Sequence, residues 1–312
     1  MRIVFFGTAE FAVPSLEALI ASRHQVLLCV TQPERPQGRG LRPAPSPVER
    51  VARAHRLPLL QPERPSAPEY VQRVAEARAD LLVVIAYGHI LRPSLLTVAP
   101  HGAISVHPSL LPRYRGAAPV PWAIINGDHT TGVSVLRLAE TVDTGDLITQ
   151  ASVAIAPDET AVALAQRLAV IGATCLVESI DLIATGRVSY RPQSSFGASS
   201  ARKLTKEDGR IDWTAGAAAI HNVVRGAQPW PGAYTWWRER RLNLWRTQVL
   251  EATDATAAPG TIVGSTARRL IVATGHGGQM LIQELQLAGG TRLRAEAFLR
   301  GHRIAVGDRL TS

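Results

Sequence analysis

The first half of the chain alternates short apolar runs with segments of helical spacing. Apolar runs typical of strands that are buried on both faces occur at 2–7, 24–32, 79–87 and 102–107. Between the first three runs, apolar residues recur at helical spacing at 12–22, 47–56 and 68–78. This order predicts an α/β fold with a mostly parallel sheet and right-handed crossover connections.

The same pattern continues to Gly186 and is then lost. Residues 131–138 and 146–155 are predicted as further strands, with a hairpin as one way of joining them. Residues 158–186 form a long helical pattern with acidic residues in its first turn. Residues 187–210 are rich in serine, glycine and charged residues, which is typical of a linker.

The last third of the chain has a different pattern. A helix is predicted at 214–228, and short β-like segments separated by glycine or proline follow it. These segments are LNLWRTQVL, GTIVGS, RLIVATG, QMLIQELQL and GHRIAVGDRL. Several short strands with glycine turns predict a small β-barrel. Because 312 residues exceed the usual size of one hydrophobic core, we expect a first domain at 1–188, a linker at 189–204 and a second domain at 205–312.

Charge separates the two parts of the chain. The formal net charge is +9, and the residues from 196 onward hold 16 Lys and Arg against 9 Asp and Glu. A basic region joined to a nearly neutral one indicates a polyanionic partner such as nucleic acid. The alternative is a general preference for arginine that merely raises the isoelectric point, since Lys203 and Lys206 are the only lysines.

The remaining composition indicates a cytoplasmic protein without a membrane segment. The longest apolar run, at 81–86, is far shorter than the roughly 20 residues of a membrane helix. The N-terminal residues lead directly into a predicted strand rather than a signal peptide. Cys29 and Cys175 lie in apolar surroundings, which predicts buried thiols rather than a disulfide or a metal site.

Polar residues follow several of the predicted strands, where an open parallel sheet binds its ligands. Ser105 and His107 end one strand and, being two residues apart, share one face of it. Asp143 lies in the turn-prone segment ETVDTGDL, and a carboxylate beside a histidine is a pair suited to general acid–base chemistry. The alternative is a partly buried structural histidine and a turn-forming aspartate.

Two other segments bear on ligand binding. Gly7 follows the first strand without a GxGxxG pattern, which argues against a nicotinamide-dependent dehydrogenase. The loop QPERPQGRGLRPAPSP at 32–47 contains Arg35, Arg39 and Arg42 among five prolines. It is either a stiff exposed loop or a basic arm that reaches phosphates.

Several motifs together resemble the methionyl-tRNA formyltransferase family. They are FFGTAEFAVPSLEAL, TQPERPQGRG, SVHPSLLPRYRGAAP, LTKEDGRIDW, RGAQPWPGAY and LQLAGGTRLRAEAFLRG, and they extend over nearly the whole chain. The resemblance implies a Rossmann-like formyltransferase domain followed by an OB-like barrel that helps to hold tRNA. It implies transfer of a formyl group from 10-formyltetrahydrofolate to the methionine of initiator methionyl-tRNA. Tetrahydrofolate and that tRNA are then the partners of a monomer without a metal.

The resemblance also assigns expected roles to individual residues. His107 and Asp143 fall on two positions of the family's catalytic trio, and Ser105 falls on the third, where the family has asparagine. Folate binding is expected at Ser109, Leu110, Leu111, Pro112, Tyr87 and Gly88. Binding of tRNA is expected at Arg35, Arg39, Arg42, Lys203 and Lys206.

Ser105 leaves alternatives open. In the implied reaction His107 donates to the developing oxyanion, while the family's asparagine would supply a second donor worth about 10²–10³ in rate. Three explanations of Ser105 are open. The protein is a natural variant in which another donor compensates, a slow enzyme, or a catalytically weakened homologue that still binds folate and tRNA. A formyltransferase acting on another amine is a further alternative.

Overall fold

The computed structural model describes residues 1–37, 42–251, 257–266 and 269–312. These residues form two compact units. Unit 1 comprises Met1–Gly116, Thr130–Ala154 and Ala165–Ala201, and unit 2 comprises Ala117–His129, Ile155–Leu164 and Arg202–Ser312. Unit 2 therefore includes two short segments that precede the predicted linker by many residues.

Within the described residues, unit 1 is built on a seven-stranded sheet. In spatial order its strands are β10 (Leu147–Ala154), β9 (Thr130–Arg137), β7 (Ala103–His107), β6 (Leu81–Ile85), β1 (Arg2–Gly7), β2 (Gln25–Val30) and β5 (Leu59–Leu60). The five strands from β7 to β5 are parallel, whereas β9 runs antiparallel to both β7 and β10. The mostly parallel sheet and the hairpin of the last two predicted strands are confirmed.

The central strands of this sheet are buried on both faces. Val4 and Phe6 of β1 pack in one hydrophobic cluster with Leu82 of β6. The alternate residues Ile3 and Phe5 are also fully buried. Burial of both faces explains why these strands are continuously apolar in sequence rather than alternating.

Helices connect the strands of unit 1, and several begin with proline in the first turn, where its missing N–H costs nothing. They are α1 (Val13–Ala21), α2 (Pro47–Ala54), α3 (Pro68–Glu76), α4 (Pro93–Leu96) and the long α6 (Ala161–Ala184), with a 3₁₀ turn at Glu10–Ala12. Ser46 caps α2 by accepting a hydrogen bond from the Glu49 amide at 3.0 Å. Two short pairs complete the unit: β3 (Arg35–Gln37) with β4 (Arg42–Ala44), and β8 (Arg115–Gly116) with β11 (Ser200–Ala201).

Unit 2 contains an antiparallel sheet of six strands in the part that the structure describes. They are β12 (Ala233–Trp237), β13 (Arg240–Leu250), β14 (Ile262–Thr266), β15 (Arg269–Ala273), β16 (Gln279–Leu287) and β17 (Leu293–Arg294). The helices of the unit are α5 (Pro119–Ile125), α7 (Ala217–Gly226) and α8 (Ala295–Gly301), with a 3₁₀ turn at Lys206–Gly209. Single bridges join Thr311 to Trp236 of β12 and Arg309 to Thr261 beside β14. The chain end thus touches both edges of the sheet, as in a small barrel-like domain.

The C-terminal segment corrects one prediction. GHRIAVGDRL was expected to be β-like, but α8 ends at Gly301 and the segment forms only the single bridge at Arg309. A turn at Gly307 with φ +93° interrupts the segment, and Val306 is 63% exposed. The apolar alternation therefore does not correspond to a paired strand.

Two sequence expectations concern the chain as a whole. Cys29 and Cys175 are buried and free, as predicted. Burial raises the pKa of the Cys29 thiol to about 12, so it carries almost no thiolate at neutral pH. Within the described ranges, no helix combines the length and the apolar character needed to span a bilayer.

Candidate active site

His107 is the last residue of β7, at the carboxyl edge of the parallel sheet, and it is buried. Its Nε2 lies 2.8 Å from the Tyr114 carbonyl oxygen, and its Nδ1 lies 3.5 Å from Asp143 Oδ2. A carbonyl oxygen can only accept a hydrogen bond, so Nε2 is the donor in the first contact. Nδ1 can then donate to the carboxylate only when the ring is protonated on both nitrogens. The structure therefore brings the two predicted acid–base residues together.

Backbone contacts hold Asp143 in place beside the histidine. Its φ of 55° lies in the left-handed region, which aspartate tolerates better than most residues. Asp143 Oδ2 accepts a hydrogen bond of 2.8 Å from the Gly116 amide. Gln193 Nε2 donates to the carbonyl oxygens of Asp143 and Gly145, both at 2.8 Å. A side chain at Gly145 would collide with the Arg137 carbonyl group, so the turn requires glycine there.

The segment after His107 is fixed by a network of hydroxyl and amide groups. Ser134 Oγ accepts from the Leu111 amide at 3.0 Å and donates to the Ser109 carbonyl at 2.7 Å. Gln150 Nε2 donates to both Ser134 Oγ and the Leu111 carbonyl. Ser109 Oγ donates to the Arg113 carbonyl at 2.6 Å, so this hydroxyl proton is already used within the chain. Ser109 and Leu111 are buried, while Leu110 and Pro112 are partly exposed.

Ser105 precedes His107 on β7 and shares its side of the strand. It is partly buried, and no other group in the described part of the chain forms a hydrogen bond with its hydroxyl. The hydroxyl is therefore available as a donor to a ligand at this edge of the sheet.

Tyr87 and Gly88 follow β6 at the same edge. The Tyr87 ring lies in the core, 5.5 Å from the Phe6 ring, and no group in the described ranges forms a hydrogen bond with its buried Oη. This burial raises the pKa of Tyr87. The Tyr87 carbonyl accepts from Thr8 Oγ1 and Gln32 Nε2, each at 2.9 Å. Gly88 has φ +87°, and a side chain there would collide with Gln32. At this strand end, the backbone of Tyr87 and Gly88, rather than the Tyr87 side chain, is placed to contact a ligand.

The predicted tRNA-binding residues fall into three places. Arg35 begins β3 and Arg42 begins β4. In the register of this strand pair, Arg35 is opposite Ala44 and Arg42 is opposite Gln37. Arg39 lies outside the described residues. Lys203 and Lys206 are exposed residues of unit 2.

Sequence reasoning missed the residues that support the pair. They are Ser134, Gln150, Gln193, Tyr114 and Gly116. Gln193 lies in the segment that the sequence predicts as a linker. Ser134 and Gln150 lie in strands that the sequence predicts from their apolar residues alone. Their polar character inside strands β9 and β10 was the available signal. Among the described residues, no group of three or more His, Cys, Asp or Glu is placed to hold a metal ion.

Comparison with known proteins gives matches over nearly the whole chain. The family model for formyl transferase matches residues 1–180, and that for the formyl transferase C-terminal domain matches 203–303. The methionyl-tRNA formyltransferase of Geotalea daltonii is 44% identical over 310 residues, which covers 99% of this chain and 98% of that protein.

Solved structures share the fold at lower identity. HypX from Aquifex aeolicus in complex with tetrahydrofolic acid has a TM-score of 0.65 at 17% identity, covering 96% of this chain and 47% of HypX. This chain thus spans about half the length of HypX. The N-formyltransferase from Helicobacter canadensis in complex with folinic acid and dTDP-3-aminofucose has a TM-score of 0.68 at 14% identity, covering 90% and 98% of the two chains. At these identities the structures establish the fold alone.

Proposed function

Because this chain belongs to the methionyl-tRNA formyltransferase family, we propose that it uses 10-formyltetrahydrofolate to formylate the methionine of initiator methionyl-tRNA. Formyl transfer is the activity of the family, and the match to the curated relative leaves out almost none of either chain. A folate-derived donor is supported by the tetrahydrofolic acid and folinic acid of the two structural neighbours. The 10-formyl form is the specific donor in this proposal.

The observation that carries the mechanism is the His107–Asp143 pair, with 3.5 Å between Nδ1 and Oδ2. The methionine nitrogen bonds to the formyl carbon, and negative charge develops on the formyl oxygen. His107 donates a hydrogen bond from Nε2 to that oxygen. To do so, Nε2 gives up its hydrogen bond to the Tyr114 carbonyl oxygen. One such donor is worth about 10²–10³ in rate. Ser105 supplies a second donor from the same side of β7.

Proton transfer completes the reaction. Asp143, directly or through a water molecule, takes a proton from the attacking nitrogen. The bond between the formyl carbon and the folate nitrogen then breaks, and a proton returns to that nitrogen. Asp143 also orients the imidazole of His107, because its Oδ2 lies 3.5 Å from Nδ1.

The residues after His107 line the folate side of the site in this proposal. Ser109, Leu110, Leu111 and Pro112 hold the formyl group near the amine, with Tyr87 and Gly88 at the neighbouring strand end. The bonds from Ser134 and Gln150 support this role because they keep the segment in one conformation. For tRNA, Arg35, Arg39 and Arg42 contact the acceptor end, and Lys203 and Lys206 contact the backbone. A cytoplasmic monomer with domains at 1–188 and 205–312 remains a prediction.

The test is formylation of initiator methionyl-tRNA by the purified chain, with 10-formyltetrahydrofolate supplied and then withheld. We expect formylmethionyl-tRNA only when the donor is present. Free methionine and amino sugar nucleotides serve as alternative acceptors in parallel reactions. Binding of methionyl-tRNA without product would contradict the proposal and support a weakened binding homologue, and faster transfer to another amine would reassign the substrate.

A further inference from the structure

Phe196 is the most exposed large apolar side chain among the described residues, with 92% of its surface accessible. Its neighbours are Ser194, Ser195, Gly197 and Ala198, which are too small to cover a phenyl ring. A single exposed apolar residue is ordinary on a protein surface. The position of Phe196 relative to the candidate active site is what makes it informative.

Both ends of the loop that carries Phe196 are bound to the active-site segments. On one side, Gln193 donates to the carbonyl oxygens of Asp143 and Gly145 at 2.8 Å. On the other side, the Ser199 amide donates to the Pro112 carbonyl at 3.2 Å, and Ser199 Oγ accepts from the Tyr114 amide at 2.9 Å. The loop therefore extends from the Asp143 turn to the segment that follows His107.

Chain geometry limits how far Phe196 lies from these anchors. It is three residues from Gln193 and three from Ser199. An extended chain covers at most about 3.5 Å per residue, so the Phe196 Cα is within roughly 10 Å of both. The ring is thus at the rim of the candidate site, within reach of a substrate group that extends outward from it.

Cationic side chains border the same loop. Arg191 precedes Gln193 by two residues and is exposed, and its backbone is bridged to Leu147. Arg115 donates from Nε and Nη2 to Gln193 Oε1 at 3.1 and 2.7 Å, so its guanidinium lies against the loop. An exposed aromatic ring bordered by arginine is the combination that binds unpaired nucleotides, because the ring stacks on a base while the cations attract phosphate.

We propose that Phe196 is a stacking platform for the terminal adenine of the methionyl-tRNA acceptor end. This inference rests on the proposed function, which brings that nucleotide to the site. The methionine amine must reach the formyl carbon beside His107 and Asp143, and the terminal base is joined to the same ribose as the methionine. The base is therefore the first part of the tRNA beyond the methionyl group and its ribose, and it can reach the rim where Phe196 lies.

The test compares F196A, F196L and F196W with the wild-type chain, using S195A as a control on the same loop. If Phe196 stacks on the terminal base, we expect F196A to raise the KM for methionyl-tRNA by at least about fivefold. We expect kcat and the KM for the folate donor to change by less than about twofold. F196W retains wild-type KM because it keeps an aromatic face, whereas F196L, which is apolar without a π face, behaves as F196A.

A binding measurement separates this inference from the proposed function. Methionyl-tRNA with 2-aminopurine as its terminal base should lose fluorescence on binding the wild-type chain and F196W, but not on binding F196A. This fluorescence measurement needs no turnover. If the wild-type chain is inactive, the proposed function is contradicted, but the quenching data still decide whether Phe196 stacks on the base. An unchanged KM in F196A, equal quenching by F196A, or an effect on the donor KM instead would overturn the platform.

Discussion

Asp143 is bound to the backbone more closely than to the histidine it is expected to assist. Its Oδ2 is 2.8 Å from the Gly116 amide nitrogen and 3.5 Å from His107 Nδ1. Asp143→Asn keeps an oxygen that can accept from the Gly116 amide but removes the carboxylate charge beside His107 Nδ1. We therefore expect kcat to fall by about 10²–10⁴ while both KM values stay within about threefold. Steady-state kinetics with both substrates measures this.

Asp146 provides the matched control for that substitution. It lies three residues further along the same turn and is partly exposed. Asp146→Asn removes the same charge from the same loop and is expected to leave kcat nearly unchanged. Equal losses in the two variants would show that the charge of the loop, rather than the position of Asp143, supports the reaction.

Ser105 gives the second prediction at a single residue. Its hydroxyl has no partner among the described residues, so it is free to donate at the position where the family resemblance implies asparagine. If Ser105 is an adequate donor, Ser105→Asn changes kcat by less than about tenfold when both substrates are saturating. A gain of about 10²–10³ would instead identify the wild-type chain as an impaired enzyme that lacks one oxyanion donor.

The sequence indicates the His107–Asp143 pair more clearly than the residues that hold the pair in place. His107 and Asp143 stand out because each is a polar residue beside a strand end or a turn. The residues that fix Asp143 do not stand out, because Gln193 is separated from it by the long helix α6 and meets it only in the folded chain. The orientation of the Tyr87 ring was equally unpredictable, because nothing in the segment IAYG indicates that this side chain points into the core.

The turn Lys206–Gly209 links sequence to stability within unit 2. Asp208 caps it by accepting from the Thr205 amide at 2.6 Å and from both terminal nitrogens of Arg202. These contacts, with the Arg202 hydrogen bonds first, lower the pKa of Asp208 to about 2. A carboxylate with a depressed pKa stabilises the folded state above its unfolded pKa near 4, and the contribution is lost as pH falls toward 2.

Asp208→Asn is therefore expected to lower the free energy of unfolding by about 1 kcal/mol at pH 7, because solvent around the 57% exposed Arg202 side chain screens the pair. The difference from wild type should shrink between pH 4 and pH 3, as the native carboxylate loses its advantage. All six tryptophans lie in the ranges of unit 2, so tryptophan fluorescence in a urea titration reports on this unit. Glu207→Gln is the control, because Glu207 is 73% exposed on its side chain. A difference that does not depend on pH would exclude the ion pair as the cause.

The buried strands of the parallel sheet agree with the hydrophobic pattern, whereas two short helices were not predicted by it. The strands β1, β6 and β7 are predicted within a few residues, because burial on both faces makes β1 and β6 continuously apolar and leaves β7 apolar except for Ser105 and His107. Helix α5, with the sequence PVPWAII, was missed because two prolines and seven residues give no helical period. Helix α8 was missed for a similar reason, since its seven residues present only about two turns.

The two units do not follow the linear order of the chain. Helix α5 belongs to unit 2 and packs on α7, where Gly226 leaves room for Ile124 and Ile125. Arg225 of α7 donates to the carbonyl oxygens of Ala156 and Glu159, which also precede the linker. Hydrophobic periodicity could not show this, because it reports on local structure alone. Truncation near residue 204 would therefore remove the packing partners of α5, so point substitutions are the better test of the basic region.

The charge of the whole molecule yields the last prediction. The residues from 196 onward hold 16 Lys and Arg against 9 Asp and Glu, so tRNA affinity should fall steeply as salt rises. Each phosphate contact adds about 0.7–0.9 to the slope of log K against log salt. The double variant K203A/K206A should therefore make the slope shallower by about 1.5, as measured by anisotropy of labelled tRNA across KCl concentrations. R73A/R78A, which removes one exposed charge from α3 and another two residues after its end, is the matched control. A slope that stays the same in K203A/K206A, or that falls equally in both variants, would mean that these lysines do not contact tRNA phosphates.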